Sequence, residues 1–169
     1  MWLKFKTKFC HYVGASWLVA VLISSNVFAA ANGVTEFNSQ SWAQLLGQTK
    51  QAAIVVFTST DCSHCPAVVD YLKTYLQAQP ANASKIPLYL VVMDGQDEPD
   101  LLSQGHYLQA DKLLAFSGNR NALQYGVNPK WRGLTPYVAF ITHHQAEFVV
   151  GKPEKEKLNE FTRKARASF

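Results

Sequence analysis

The chain has 169 residues and a mass of 18.9 kDa, 48% hydrophobic and 17% charged, which fits one globular domain and excludes disorder, a coiled coil or a repeat array. Its net charge of +4 is concentrated at the start: Lys4, Lys6 and Lys8 fall in the first ten residues, and beyond residue 30 thirteen basic residues face twelve acidic ones. A domain so near neutrality, with no run of cations, lacks the electrostatic footprint of a nucleic-acid binder, and nucleic acid is excluded as a partner.

After Lys8 an apolar stretch runs from Phe9 to Ile23, then Ser24, Ser25 and Asn26 lead into Val27, Phe28, Ala29, Ala30 and Ala31. A positive end, a short greasy centre and small residues at a cutting point predict a secretory signal over residues 1–30, with cleavage after Ala29 or Ala31. The apolar centre of about 15 residues is shorter than the roughly 20 needed to span a bilayer, so no stable membrane insertion is expected once the signal is removed. Cys10 leaves with it, and residues 31–169 retain only Cys62 and Cys65. Two residues apart, these close too small a ring to constrain the unfolded chain, so stapling does not explain the pair.

Val34 to Phe37 is a short first strand, and Asn38 or Ser39 caps a helix running to about Leu46 and ended by Gly47. Ala52 to Thr58 is a continuous apolar, β-branched run, the pattern of a central strand covered on both faces. Past Asp61-Cys62-Ser63-His64-Cys65-Pro66, apolar residues at Val68, Val69, Leu72, Tyr75 and Leu76 mark one face of a helix that Pro80 ends. Ile86 to Met93 is a second buried strand, closing at Asp94-Gly95. Gln96 to Gly118 reads as a loop with a short helix around Leu108 to Phe116, and another helix spans about Asn119 to Tyr125, stopped by Gly126. Tyr137 to Thr142 and Ala146 to Val150, joined by His143-His144-Gln145, predict a hairpin. Pro153 then opens a charged final helix with Leu158 and Phe161 facing inward.

This order of strand, CxxC at the mouth of a helix, strand, helix, Thr-Pro, hairpin and final helix resembles the thioredoxin-like proteins over most of residues 34–166. The anchors are VVFTSTDCSHC, the YGV of Tyr125 to Val127, the RGLTP of Arg132 to Pro136 and the closing VVGKPEKEKLNEF. CxxC after an apolar strand, with Thr-Pro some seventy residues later, is a specific signal. The resemblance is nearest to exported, periplasmic disulfide-handling members. It implies an α/β fold with a central mixed β-sheet flanked by helices over residues 31–169, and a helical or loop insertion before the strand led by a cis proline.

A thiolate is the nucleophile in disulfide exchange, and the amino terminus of a helix favours it through unpaired N–H groups and partial positive charge. Cys62 is therefore assigned the attack and Cys65, one turn in, the resolution of the mixed disulfide. His64 favours the Cys62 thiolate, as the inner histidine does in related oxidases and isomerases. The resemblance further implies that Pro136 is cis and that Thr135 offers its backbone to an extended substrate chain. Four positions depart from the family pattern. Val56 stands where thioredoxins bury an acid, Asp61 where they carry Trp, Pro66 removes a backbone donor early in the helix, and Asn128 to Trp131 (NPKW) interrupts YGV-RG, with Trp131 expected as an exposed substrate contact.

The expected function is a periplasmic thiol-disulfide oxidoreductase acting on protein thiols and disulfides, with no cofactor beyond its own dithiol. A reductase kept reduced by a membrane electron donor is favoured by Thr135, whereas the inner His64 resembles oxidants, so a dithiol oxidase, served by a membrane acceptor, stays open. A copper or other metal chaperone using the same CxxC is the further alternative. A structural zinc site is disfavoured, since it wants four ligands and only two thiolates are at hand. His106, His143 and His144 are assigned no role.

Overall fold

Why each apolar run becomes a strand or a helix is visible in the two cores they fill. The computed structural model describes residues 33–47, 51–80, 85–103 and 105–167; the expected signal segment and Cys10 lie outside them. The chain forms β1 (Val34–Phe37), α1 (Ser41–Gly47), β2 (Ala53–Thr58), α2 (Cys65–Gln77), β3 (Leu88–Val92), β4 (Lys112–Phe116), α3 (Arg120–Val127), β5 (Tyr137–Thr142), β6 (Gln145–Val150) and α4 (Lys155–Ala167), with two short 3-10 turns at Leu101–Ser103 and Gly105–Gln109. The six strands make one mixed sheet in the order β1-β4-β3-β2-β5-β6. The first three pairings are parallel, while β2 with β5 and β5 with β6 are antiparallel.

Successive strand residues point to opposite faces, so a strand buried on both sides must be apolar throughout. All six residues of β2 are buried, and they divide by parity. Ile54 and Val56 join Val68, Val69 and Leu72 of α2 and Leu158 and Phe161 of α4 in one core. Ala53, Val55 and Phe57 join Trp42 and Leu45 of α1 and Leu123 and Val127 of α3 in the other. Helices therefore cover both faces, and β2 is enclosed between them.

The stretch from Asp94 to Gly118 differs from expectation. In place of a helix around Leu108 to Phe116, a 3-10 turn ends at Gln109 and β4 begins at Lys112. This strand lies between β1 and β3, with Leu113 and Ala115 packed in or against one core and Leu114 and Phe116 in the other. Five residues are too few for an independent helix, while two parallel neighbours satisfy both edges of a strand. The insertion thus widens the sheet. Smaller shifts affect helix ends: α3 extends through Gly126 to Val127 and is capped by the Asn119 side chain, which accepts from Ala122 N at 2.9 Å, and α4 starts two residues after Pro153. His143 and His144 both adopt positive φ, 45° and 64°, forming the two-residue turn whose twist suits the β5–β6 hairpin.

Asp111 locks the entry of β3 to that of β4. Its N–H donates to the Leu88 carbonyl at 2.8 Å, its carboxylate accepts from Leu88 N at 2.9 Å, and Lys85 lies at 3.0 Å. Burial acts to raise the Asp111 pKa, but the Leu88 N–H, Lys85 and Lys73 outweigh it and hold the carboxyl below its ordinary value. A carboxylate depressed on folding adds stability that is present above its unfolded pKa and is lost as pH falls through the folded one. Asp111→Asn should therefore lower stability by about 1 to 2 kcal/mol at neutral pH. The gap from the unsubstituted protein, read by thermal melting, should narrow as pH falls from the ordinary aspartate value through the depressed one and change no further below it.

Candidate active site

β2 ends at Thr58, and the chain turns through Ser59, Thr60 and Asp61 into the dithiol motif. Cys62 N donates to Ser59 O at 3.2 Å and Cys65 N to Cys62 O at 3.2 Å, so the motif is wound as a turn before α2 begins at Cys65. Pro66 falls in the first two positions of α2, where an N–H has no helical partner to lose. Val68, Val69 and Leu72 draw this end of the helix onto the sheet. The two sulfurs are joined as a disulfide with Cα atoms 5.4 Å apart.

The two cysteines differ in access. Cys65 is fully buried, whereas Cys62 is half-buried at the surface. Ser63 and His64 are exposed, and His64 occupies the helix cap without a side-chain capping bond. Val56, standing where thioredoxins bury an acid, is completely enclosed among apolar residues. Among the described residues no group of three or more His, Cys, Asp and Glu converges to hold a metal ion.

Facing this turn is the segment that leads into β5. The Thr135–Pro136 peptide is cis. Antiparallel register pairs Phe57 with Tyr137, so the residues flanking the motif and those flanking the proline leave the sheet side by side. Pro136 O accepts from Gly151 N at 2.8 Å, while the Thr135 main chain has no backbone partner among the described residues. Thr135 is half-buried and Leu134, beside it, is 60% exposed. Gly133 permits the approach: its φ is +78°, and a Cβ there would meet the Gln124 side-chain amide at 3.2 Å.

Trp131 requires a correction. Expected as an exposed contact, it is 6% exposed and packs on the apolar face of the sheet. Its ring stacks on Tyr137 with centroids 4.7 Å apart and planes 9° from parallel, and it lies 4.9 Å from Phe57. Tyr137 stacks in turn on Phe148. The NPKW segment explains the burial, because Asn128 accepts Trp131 N through its carbonyl and donates through its amide to the Tyr137 hydroxyl at 2.7 Å. The indole N–H donates to Leu134 O at 2.9 Å, so Trp131 supports the proline loop from beneath. Leu134 is the exposed apolar residue there, and the sequence reading passed over it.

Three further residues that the sequence pattern does not mark, Asp94, Ser59 and Tyr107, bear on the site. Asp94, at the end of β3, accepts from Thr60 N at 2.9 Å and from the Thr60 hydroxyl at 2.9 Å, tying the turn before Cys62 to the neighbouring strand. Ser59 Oγ lies 2.6 Å from an Asp61 carboxylate oxygen and 3.5 Å from Thr135 Oγ1. Tyr107, brought in by the second 3-10 turn, is buried in the core beside α2, and its phenol pKa is raised by burial and then by the Asp94 and Asp61 carboxylates. The Asp61 carboxylate is engaged by Ser59 on the proline side of the turn.

No family model matches the chain, and no curated protein matches it. Solved structures do. The thioredoxin-related protein from Neisseria meningitidis serogroup B aligns with a TM-score of 0.50 at 16% identity, over 72% of this chain and 90% of that one. A secreted Mycobacterium tuberculosis disulfide oxidoreductase homologous to E. coli DsbE aligns at 0.47 and 15% identity, covering 69% and 84% of the two chains. StoA from Bacillus subtilis gives 0.47 and 15%, covering 68% and 84%. At such identities the likeness is one of fold, and the Neisseria structure carries it.

The exposure difference gives a direct chemical expectation. In the reduced protein, a brief neutral-pH pulse of alkylating agent should label Cys62 and leave Cys65 for reaction only after denaturation, as read by peptide mass mapping. Faster labelling of Cys65 would exchange the two assignments. For the loop support, Trp131→Ala should cost about 3 kcal/mol in denaturant unfolding, while Leu134→Ala at the exposed neighbour stays within about 0.5 kcal/mol.

Proposed function

The chain has the thioredoxin-like fold, and from that scaffold we propose that it is an exported, periplasmic thiol-disulfide oxidoreductase that reduces disulfides in protein substrates. The observation that carries this reading is the unequal dithiol beside an open backbone: a half-buried Cys62 linked to a fully buried Cys65, next to a Thr135 main chain without a backbone partner. An attacking sulfur has to meet a partner disulfide, and a resolving sulfur has to be shielded from it.

In the reducing direction the Cys62 thiolate attacks one sulfur of a substrate disulfide. A Cys62–substrate bond forms, the substrate S–S bond breaks, and the departing thiolate takes up a proton. Cys65, losing its proton, then attacks the Cys62 sulfur and releases the second substrate thiol. The protein ends as the Cys62–Cys65 disulfide and the substrate as a dithiol, two electrons having passed between them. Thr135 pairs with the extended substrate segment through its N–H and C=O, Pro136 keeps that segment close to the motif, and His64 at the exposed helix cap favours the Cys62 thiolate.

Export rests on the sequence of residues 1–30; among the described residues no helix is long and apolar enough to cross a membrane. A reductase in an oxidising compartment needs a supply of electrons, for which a membrane dithiol donor is the proposed partner. Thr135 before the proline, similar to reducing and isomerising relatives, supports that direction. Trapping thiols with acid and a mass tag in growing cells tests it: the pair should be found mainly as the dithiol. A pair held mainly as the disulfide would reassign the protein as a dithiol oxidase.

A further inference from the structure

The ladder between β2 and β5 ends at the Phe57–Tyr137 pair, and beyond it Ser59, two residues on, and Thr135, two residues before, come together through their hydroxyls. The two oxygens are 3.5 Å apart. Ser59 is 8% exposed, and its Oγ is 2.6 Å from Asp61 Oδ1. A carboxylate only accepts and a serine hydroxyl has one proton, so Ser59 donates to Asp61 and Thr135 donates to Ser59. The Ser59 carbonyl meanwhile accepts the Cys62 N–H.

Ser59 therefore touches three parts of the site at once: the backbone of the attacking cysteine, the carboxylate beside it and the side chain of the residue that faces the substrate. We infer that Ser59 is a positioning residue that sets the Thr135 pairing edge in register with Cys62, so that a disulfide carried in an extended polypeptide is aligned for attack. A small disulfide with no peptide backbone has nothing to pair with Thr135 and does not need the alignment. The inference rests on the reductase reading, and it makes Ser59 a determinant of substrate class as distinct from reactivity.

The experiment compares two substrates in single-turnover reactions of the reduced protein: a synthetic cystine peptide and bis(2-hydroxyethyl) disulfide. Ser59→Ala should raise the half-saturating concentration for the peptide about five-fold, the size expected for one lost hydrogen bond, with the limiting rate and the rate on the small disulfide within about two-fold of the unsubstituted protein. Thr135→Val, which removes the same contact from the other side, should raise the half-saturating concentration for the peptide by a similar factor. The double variant should be no worse than Ser59→Ala alone, because Thr135→Val removes a contact that Ser59→Ala has already removed. Ser59→Thr, which keeps the hydroxyl, should recover peptide binding. If Ser59→Ala proves too unstable to assay, the peptide half-saturating concentration of Thr135→Val against that of Thr135→Ser, which keeps the hydroxyl, carries the test, and equal values would overturn the inference. Equal losses on both substrates, or effects that multiply in the double variant, would overturn the inference. An unsubstituted protein that reduces neither substrate would instead refute the functional reading, whereas one that reduces both while Ser59→Ala is unimpaired refutes only the role of Ser59.

Discussion

The antiparallel pairing of β2 with β5 is the constraint on which the site depends. Its register, Phe57 against Tyr137, brings together two segments eighty or more residues apart in sequence, one leaving the sheet towards Cys62 and the other arriving from Thr135 and Pro136. Because β2 is enclosed by helices on both faces, the pairing cannot slip by one residue without turning Ile54 and Val56 into the core now filled by Val55 and Phe57. The packing that protects the register thereby protects the position of the dithiol.

Around this junction the turn bearing Cys62 is anchored from both sides. Asp94 reaches it from the end of β3 through Thr60, and Ser59 reaches across to Thr135. Neither contact involves the sulfurs, and both fix the chain from which the Cys62 sulfur projects. On the opposite segment, Trp131 holds Leu134 through its indole N–H and rests on Tyr137, so the proline loop stands on stacked aromatic rings. Polar ties thus locate the motif, and an aromatic scaffold locates the surface that faces it.

The insertion after β3 alters the sheet without disturbing this arrangement. By adding β4 between β1 and β3 it moves β1 one place outward, while β2, β3 and β5 remain neighbours around the site. It also brings Tyr107 and Leu102 into the core beside α2. The helix that begins at Cys65 is consequently packed against the sheet beneath it and the second 3-10 turn alongside.

Much of this was legible in sequence because it is written in local pattern. The continuous apolar run of β2, the three-and-four spacing of α2, the hairpin and the CSHC motif at a helix entrance each depend on residues near one another in the chain. The strand β4 was misread because Lys112 to Phe116 is short enough to suit either state, and only two strands distant in sequence, β1 and β3, decide it by pairing with both its edges. Trp131 was misread for the same kind of reason: in a loop of polar neighbours it looks exposed, and only the Tyr137 ring and the Leu134 carbonyl turn it inward. Sequence alone determined that Cys62 and Cys65 stand as a CxxC pair at a helix entrance, since that follows from residue type and spacing, while the association of a Thr-Pro with them came from the resemblance to thioredoxin-like proteins. Tertiary structure decided that Ser59 meets Thr135, that Asp94 holds Thr60 and that Cys65 is shielded while Cys62 is reachable, because these follow from strand register and burial, which exist only once distant segments pack together.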